Sequence, residues 1–180
     1  MLFYIETDRL ILREIQDSDI DGMFELDSDP IVHKHLGNKP ITSKEQAQSN
    51  INYIRQQYDN YGIGRFAAVE KATGEFIGWT GIKYNTGDKE VIDRHRDFYD
   101  IGYRFIPRYW GKGYASESSF ITLAYGFNKL NIQTMCGAAE EANIASNKVL
   151  QKIGLKYIED FVFWGEKIKW YELNKADYGA

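Results

Sequence analysis

The N-terminal half of the chain changes from a hydrophobic period of two to a period of three to four. Leu10 and Leu12 alternate with mostly charged neighbours within residues 7–13, which predicts a strand with one buried face. In the next two segments apolar residues recur at steps of three and four, which predicts amphipathic helices. The first helix is predicted over residues 17–26, and the second begins at Thr42 or Ser43 and ends at Gly62 and Gly64.

The rest of the chain alternates between strand-forming segments and two further helical patterns. The predicted strands cover residues 65–71, 75–84, 98–106, 133–139, 156–164 and 168–173, and the predicted helices cover residues 112–128 and 143–153. This order predicts one α/β domain over residues 1–180. We expect a mixed, mostly antiparallel, twisted sheet of about seven strands flanked by about four helices.

Composition and charge exclude several classes of protein. The formal net charge is −4, and no Lys/Arg-rich run suggests binding to a nucleic-acid backbone. No apolar stretch approaches the roughly 20 residues of a membrane helix, and the N-terminus does not resemble a signal peptide. The single Cys136 fits a reducing compartment. We therefore expect a cytoplasmic protein without nucleic-acid or membrane partners.

One segment between a predicted strand and a predicted helix has the composition of an anion-binding loop. Arg108, Gly111 and Gly113 form an R-x-x-G-x-G pattern, with Lys112 between the glycines. Glycines let the backbone approach a diphosphate closely, and a helix N-terminus adds unpaired N–H groups and partial positive charge. A turn in which the glycines only satisfy backbone angles explains this spacing equally well.

A second segment, from Asn143 to Leu155, combines a predicted buried stripe with polar residues, some of which lie near a helix start. The stripe is Ala145, Val149 and Ile153, and the polar residues are Asn143, Ser146, Asn147 and Gln151. Taken alone, Asn143 is best explained as a helix N-cap.

Together these segments resemble the GNAT superfamily of acetyltransferases, and more closely its ribosomal-protein-alanine acetyltransferase branch. The matching stretches are Glu6-Thr-Asp-Arg-Leu-Ile-Leu-Arg13, Asp100-Ile-Gly-Tyr-Arg-Phe-Ile-Pro107, Arg108-Tyr-Trp-Gly-Lys-Gly-Tyr-Ala-Ser-Glu117 and the segment from Asn143 to Leu155. The predicted order of elements fits the family fold over nearly the whole chain.

The resemblance implies acetyl-CoA as co-substrate, no metal, and a primary amine as acceptor. It places the pyrophosphate on Arg108, Gly111, Lys112, Gly113, Tyr114 and Ala115, and the pantetheine arm along the backbone of Phe105 and Ile106. A backbone N–H near Phe105 or Ile106 is the expected oxyanion donor. The side chains expected to face the cofactor from the last helix are Asn143, Ser146, Asn147 and Lys152.

The resemblance also indicates candidate catalytic residues. Many superfamily members carry a tyrosine acid where this chain has Leu150, and by analogy with the ribosomal-protein branch Ser146 is the expected substitute. Asp100 and Glu159 are candidate bases, although Asp100 also fits a solvated strand position. A covalent route through Cys136 is disfavoured, because a lone strand cysteine is usually buried and inert.

Two loops and three functions complete the expectations. Residues 29–40 and 88–96 are expected to border the amine pocket, since variable loops carry selectivity. His33 and His35 lack a third ligand, which favours a polar loop over a metal site.

The acceptor is expected to be a protein N-terminus, with a polyamine or another small amine as the alternative. A silent acetyl-CoA-binding module stays open, as does a homodimer through the aromatic C-terminal strands.

Overall fold

The computed structural model describes residues 3–179, which form one mixed sheet of eight strands and four α-helices. The strands β1 to β8 are Tyr4–Glu6, Leu10–Glu14, Arg65–Glu70, Phe76–Asn85, Phe98–Phe105, Thr134–Glu140, Lys156–Phe163 and Glu166–Asn174. The helices α1 to α4 are Ile20–Ser28, Lys44–Tyr61, Tyr114–Asn128 and Ile144–Lys152. Residues 1, 2 and 180, which the predicted domain also includes, lie outside the described residues.

The sheet has the order β1-β2-β3-β4-β5-β6-β8-β7. All its strand pairs are antiparallel except β5 with β6, which are parallel. The mixed, mostly antiparallel architecture is therefore confirmed. It has one strand more than predicted, because the three-residue β1 is too short for an alternating pattern to reveal it.

The helices begin and end where local signals indicate. Ser43 and Gln46 form a capping box at the start of α2, and Gly62 ends that helix in the left-handed region at φ 67°. α3 begins two residues later than predicted, because Gly113 occupies the N-cap position at φ 85°. Within the described residues no helix is long and apolar enough to cross a membrane.

The helices cover both faces of the sheet. Leu123 of α3 and Leu150 of α4 belong to the same buried cluster as Ile101 of β5, so these helices cover the face to which Ile101 points. On the other face, Met23 of α1 and Ile51 of α2 are buried in one cluster with strand residues. The two layers give the sheet a core on each side, and a further buried cluster includes both Leu26 of α1 and Tyr114 of α3.

α4 corrects one part of the sequence interpretation. The inward positions of α4 are Asn147 and Leu150, whereas Ala145 of the predicted stripe is exposed. Ile153, just beyond the helix, is buried as expected. Leu150 packs against Gly137 of β6, where an added Cβ would lie only 2.7 Å from its side chain. This close packing sets the rotation of the helix and turns Asn147 into the protein.

The parallel strands β5 and β6 separate after a short paired region. They pair only at Tyr99↔Met135 and Asp100↔Cys136, although both strands continue beyond these residues. Beyond Asp100 and Cys136, β5 stays paired with β4, and β6 stays paired with β8. A gap therefore opens between the C-terminal halves of β5 and β6. Ala138, in the middle of β6, is exposed.

Candidate active site

The edge of β5 that faces the gap carries unpaired backbone groups. Ile106 N donates to Ile77 O at 2.9 Å, on the side of β4. Hydrogen bonding alternates along an antiparallel ladder, so the N–H groups of Tyr103 and Phe105 point away from β4 and into the gap. The carbonyl of Phe105 accepts from Trp110 Nε1 at 2.6 Å. An extended ligand could therefore pair with this edge as an added strand.

This alternation corrects the expected role of Ile106. Its N–H is bonded to Ile77 O, and its carbonyl accepts from Tyr109 N at 2.9 Å. Both main-chain groups of Ile106 are thus used inside the protein, which leaves the N–H of Phe105 as the donor directed into the gap.

A row of free N–H groups follows β5. The N–H groups of residues 111–116 have no hydrogen-bond acceptor within residues 3–179, and the first bond of α3 runs from Glu117 N to Gly113 O at 3.0 Å. Gly111 and Gly113 both adopt positive φ, 73° and 85°. Free N–H groups at the start of a 15-residue helix form a binding site for an anion such as a diphosphate.

Arg9 and Glu117 hold this glycine loop, defined here as residues 110–113, in place. Arg9 Nη1 donates to Lys112 O at 2.8 Å, and Arg9 Nε donates to Glu117 Oε2 at 2.7 Å. Because a trans peptide is planar, fixing the carbonyl of Lys112 toward Arg9 turns the N–H of Gly113 the opposite way. Sequence reasoning missed this brace, since its two side chains lie 108 positions apart.

The two cations predicted for the loop differ in availability. Arg108 forms an ion pair with Glu25, and this contact raises the pKa of the guanidinium further above its ordinary value. Lys112 has no carboxylate partner within the described residues, and its ammonium lies 5.0 Å from the centre of the Tyr109 ring. Lys112 is therefore the freer cation for a phosphate.

Tyr114 and Ala115 open α3 directly behind the loop. Tyr114 is buried, and its hydroxyl donates to Glu70 of β3. That hydrogen bond is the main cause of the raised pKa of Tyr114. The side chain of Tyr114 thus anchors the helix to the sheet, while its backbone N–H belongs to the free row.

Ser146 lies at the gap on the side of α3 and α4. Asn143 is the N-cap of α4 and accepts from Ser146 N at 3.2 Å. Across the gap, the hydroxyl of Tyr103 donates to Ser146 O at 3.3 Å. Burial raises the pKa of Tyr103 to about 12, an effect that hydrogen bonding to Ser146 partly offsets. Tyr103 therefore contacts Ser146, the residue predicted to act as the acid. Sequence reasoning did not identify Tyr103 as a site residue.

Asn147 and Lys152 occupy other positions than the resemblance implies. Asn147 Nδ2 donates to Glu140 O and Asn143 O, both at 2.8 Å, and its Oδ1 accepts from Tyr171 at 2.7 Å. These bonds use both amide hydrogens within the protein. Lys152 is the last residue of α4 and is exposed, at the opposite end of the helix from Asn143.

The two carboxylates considered as bases are both paired with cations. Asp100 accepts from Arg65 at 2.8 Å and from Asn85 at 2.9 Å, and it lies where β5 and β6 are still paired. Glu159 of β7 accepts from His95 at 3.0 Å and also pairs with Arg94. Neither carboxylate lies on the strand segments that border the gap.

Cys136 and the histidines complete the chemistry of this region. Burial is the main cause that raises the pKa of the Cys136 thiol to about 12, which leaves little thiolate at neutral pH. Within residues 3–179, no three His, Cys, Asp or Glu side chains lie close enough to bind a metal ion together. His35, expected in a polar loop, instead bonds to Glu140 at 2.7 Å.

Comparison with known families adds an independent line of evidence. Residues 9–156 match the acetyltransferase (GNAT) domain family. The chain belongs to this family. The match includes the gap, the glycine loop and α4, so the features described above lie in the part of this GNAT acetyltransferase that the family shares.

Relatives and solved structures agree with this assignment. The GNAT chain is 34% identical to the uncharacterized N-acetyltransferase YoaA of Bacillus subtilis over 152 residues, which are 84% of this chain and 82% of that protein. A GNAT-family acetyltransferase structure from Bacillus anthracis has a TM-score of 0.78 at 24% identity, covering 97% of this chain and 99% of that one. The predicted fold and the predicted enzyme class, N-acetyltransferase, are confirmed.

A further structural neighbour carries ligands. Spermidine N-acetyltransferase from Vibrio cholerae, solved in complex with CoA and spermine, has a TM-score of 0.75 at 18% identity. The alignment covers 96% of this chain and 99% of that chain. This likeness concerns the fold.

Proposed function

We propose that this enzyme uses acetyl-CoA as donor and acetylates the α-amine of a protein N-terminus. The observation that carries the donor assignment is the row of free N–H groups at residues 111–116, directly after the free strand edge at Tyr103 and Phe105. A diphosphate joined to an extended amide-containing arm requires these two features in this order. The complex of the V. cholerae neighbour with CoA supports the same donor.

In this proposal each residue has one task toward the donor. Acetyl-CoA would supply the activated thioester carbonyl. The N–H groups of the glycine loop, with Lys112 and Arg108, bind the diphosphate, and the N–H of Phe105 stabilises negative charge on the thioester oxygen. Ser146, with Tyr103 at its carbonyl, donates the proton that the departing thiolate needs.

The charge balance of the acceptor side supports an α-amine over a polyamine. Its carboxylates already have partners inside the protein: Asp27 pairs with Arg104, and Glu140 bonds to His35. A polyamine needs several unpaired carboxylates, whereas a peptide end brings one amine. An α-amine has a pKa near ~8 against ~10.4 for a lysine amine, so it loses its proton more readily.

Titration calorimetry with acetyl-CoA tests the donor assignment. We expect saturable binding to a single site. Desulfo- and dephospho-analogues of the cofactor should bind to this site with lower affinity. A folded protein that shows no heat of binding contradicts the proposal. Thiol release with N-terminal peptides and with spermidine then tests the acceptor, and faster turnover of spermidine would favour the polyamine alternative.

Ser146→Ala should lower kcat about 10- to 100-fold while leaving the affinity for acetyl-CoA unchanged, because the hydroxyl acts on the leaving group. Steady-state kinetics and calorimetry on the same preparation measure both quantities. Ser49→Ala, which removes an exposed α2 hydroxyl bonded to Glu45 O, is the matched control. An unchanged kcat would remove Ser146 from the mechanism.

A further inference from the structure

We propose that His35, oriented by Glu140, is the general base that takes the proton from the attacking amine. This inference rests on the proposed function and assigns the one catalytic task that it leaves open. Nδ1 of His35 lies 2.7 Å from Oε2 of Glu140. The two side chains are 23% and 13% exposed, so the pair is shielded from bulk water but still reachable.

The segment that carries His35 spans the gap between β5 and β6. At one end, Asp27 of α1 accepts from Arg104 of β5 at 2.6 Å. At the other end, His35 bonds to Glu140, the last residue of β6. The segment from residue 27 to residue 35 is therefore tied to both strands where they have separated.

Glu140 points to the face of the sheet opposite Ser146. Side chains alternate along a strand, and Gly137 and Ala139 face the cluster that contains Leu150 of α4. Glu140 therefore points to the other face, where α1 also lies. An amine entering from that face would meet the imidazole, while the predicted acid Ser146 lies on the side of α4. The two proton transfers would therefore take place on opposite sides of the gap.

The imidazole has the chemistry that a base requires. Because Nδ1 is bonded to Glu140, Nε2 is the nitrogen left to act, and it has no hydrogen-bond partner within residues 3–179. The neighbouring His33 is 7% exposed, and neither of its ring nitrogens has a partner. Burial is the main cause that lowers the pKa of His33 and disfavours its charged form.

The proposed step balances in atoms and charge. The amine nitrogen forms a bond to the carbonyl carbon of the thioester, and the C–S bond breaks. The proton on that nitrogen passes to Nε2 of His35, and the carboxylate of Glu140 stabilises the resulting imidazolium. The hydroxyl of Ser146 donates a proton to the thiolate and is reprotonated from solvent, to which His35 releases the proton that it took. The products are an acetylated amine and free coenzyme A.

The test compares His35→Gln with the unaltered enzyme, using a peptide α-amine and saturating acetyl-CoA. We expect kcat/KM for the amine to fall about 100-fold, with an unchanged Kd for acetyl-CoA by calorimetry and an unchanged Tm. The pH profile of kcat/KM should differ between the two proteins, because only the unaltered enzyme has the proposed base. The charged and titratable groups near this segment are Glu140 on β6, Asp27 on α1, Arg104 on β5, and Asp29, His33 and Lys34 within the segment.

The matched control breaks an exposed ion pair instead. Asp21→Asn removes the 2.6 Å contact with Lys44, which is exposed on both sides, and should leave the rate unchanged. Glu140→Gln should lower the rate about 10-fold and tests the pair if the His35 variant is unstable. Full turnover in both His35→Gln and Glu140→Gln would overturn the inference. Absence of turnover in the unaltered enzyme would instead overturn the proposed function.

Discussion

Gly113→Val should weaken binding of acetyl-CoA at least about 100-fold while the protein stays folded. Gly113 adopts φ 85° at the N-cap of α3, a conformation that costs a β-branched residue at least ~1–2 kcal/mol. An added Cβ meets nothing closer than Arg9 at 3.5 Å, so the substitution changes backbone preference without a clash. Relief of the strain rotates the peptide groups and misdirects the N–H groups of the loop.

Calorimetry with acetyl-CoA and thermal unfolding measure the two expectations for Gly113→Val. Gly165→Val is the matched control, because Gly165 has φ 84° and open space around its Cβ position in the β7–β8 turn. The control should lose similar stability and keep full affinity. If the Gly113 variant is folded and binds as tightly as the control, the glycine loop is only a turn.

Asp27→Ala should lower the free energy of unfolding by about 3–5 kcal/mol. The carboxylate is 1% exposed, accepts from Arg104 at 2.6 Å and from Asn50 at 2.8 Å, and thereby joins α1 to both β5 and α2. Removing it leaves the half-buried guanidinium of Arg104 without a counter-charge. Urea unfolding followed by circular dichroism measures the loss.

Asp21→Ala removes a carboxylate from the same helix and serves as its control. Its ion pair with Lys44, at 2.6 Å, is exposed at both ends, so little stability should be lost. Equal destabilisation by the two variants would contradict the importance assigned to the buried pair. At temperatures where Asp27→Ala is still folded, its turnover should also fall, because this pair anchors the segment that ends at His35.

These expectations separate binding from chemistry. The glycine loop and the edge of β5 bind the donor, and substitutions there should change affinity. Ser146 and His35 lie on opposite faces of the gap, and substitutions there should change turnover. The ion pairs of Arg104 and Arg9 act on neither reactant directly, since they hold the gap and the loop in shape.

The sequence by itself determined the order of the elements and the position of the glycine loop, because both depend on local properties. Hydrophobic period places β5 and α3, and Gly111 and Gly113 show positive φ where the R-x-x-G-x-G pattern predicts a turn. The capping of α2 and of α4 follows in the same way from residues within one helical turn. The family resemblance rests on these local features.

Only the tertiary structure decided which of the candidate residues meet. Pairing with β4 uses the N–H of Ile106 and leaves that of Phe105 free, and packing on Gly137 turns Asn147 inward. His35 and Glu140 are 105 positions apart in the sequence and come together because α1 is tied to β5. Contacts between distant segments depend on strand register and helix rotation, which no local pattern encodes.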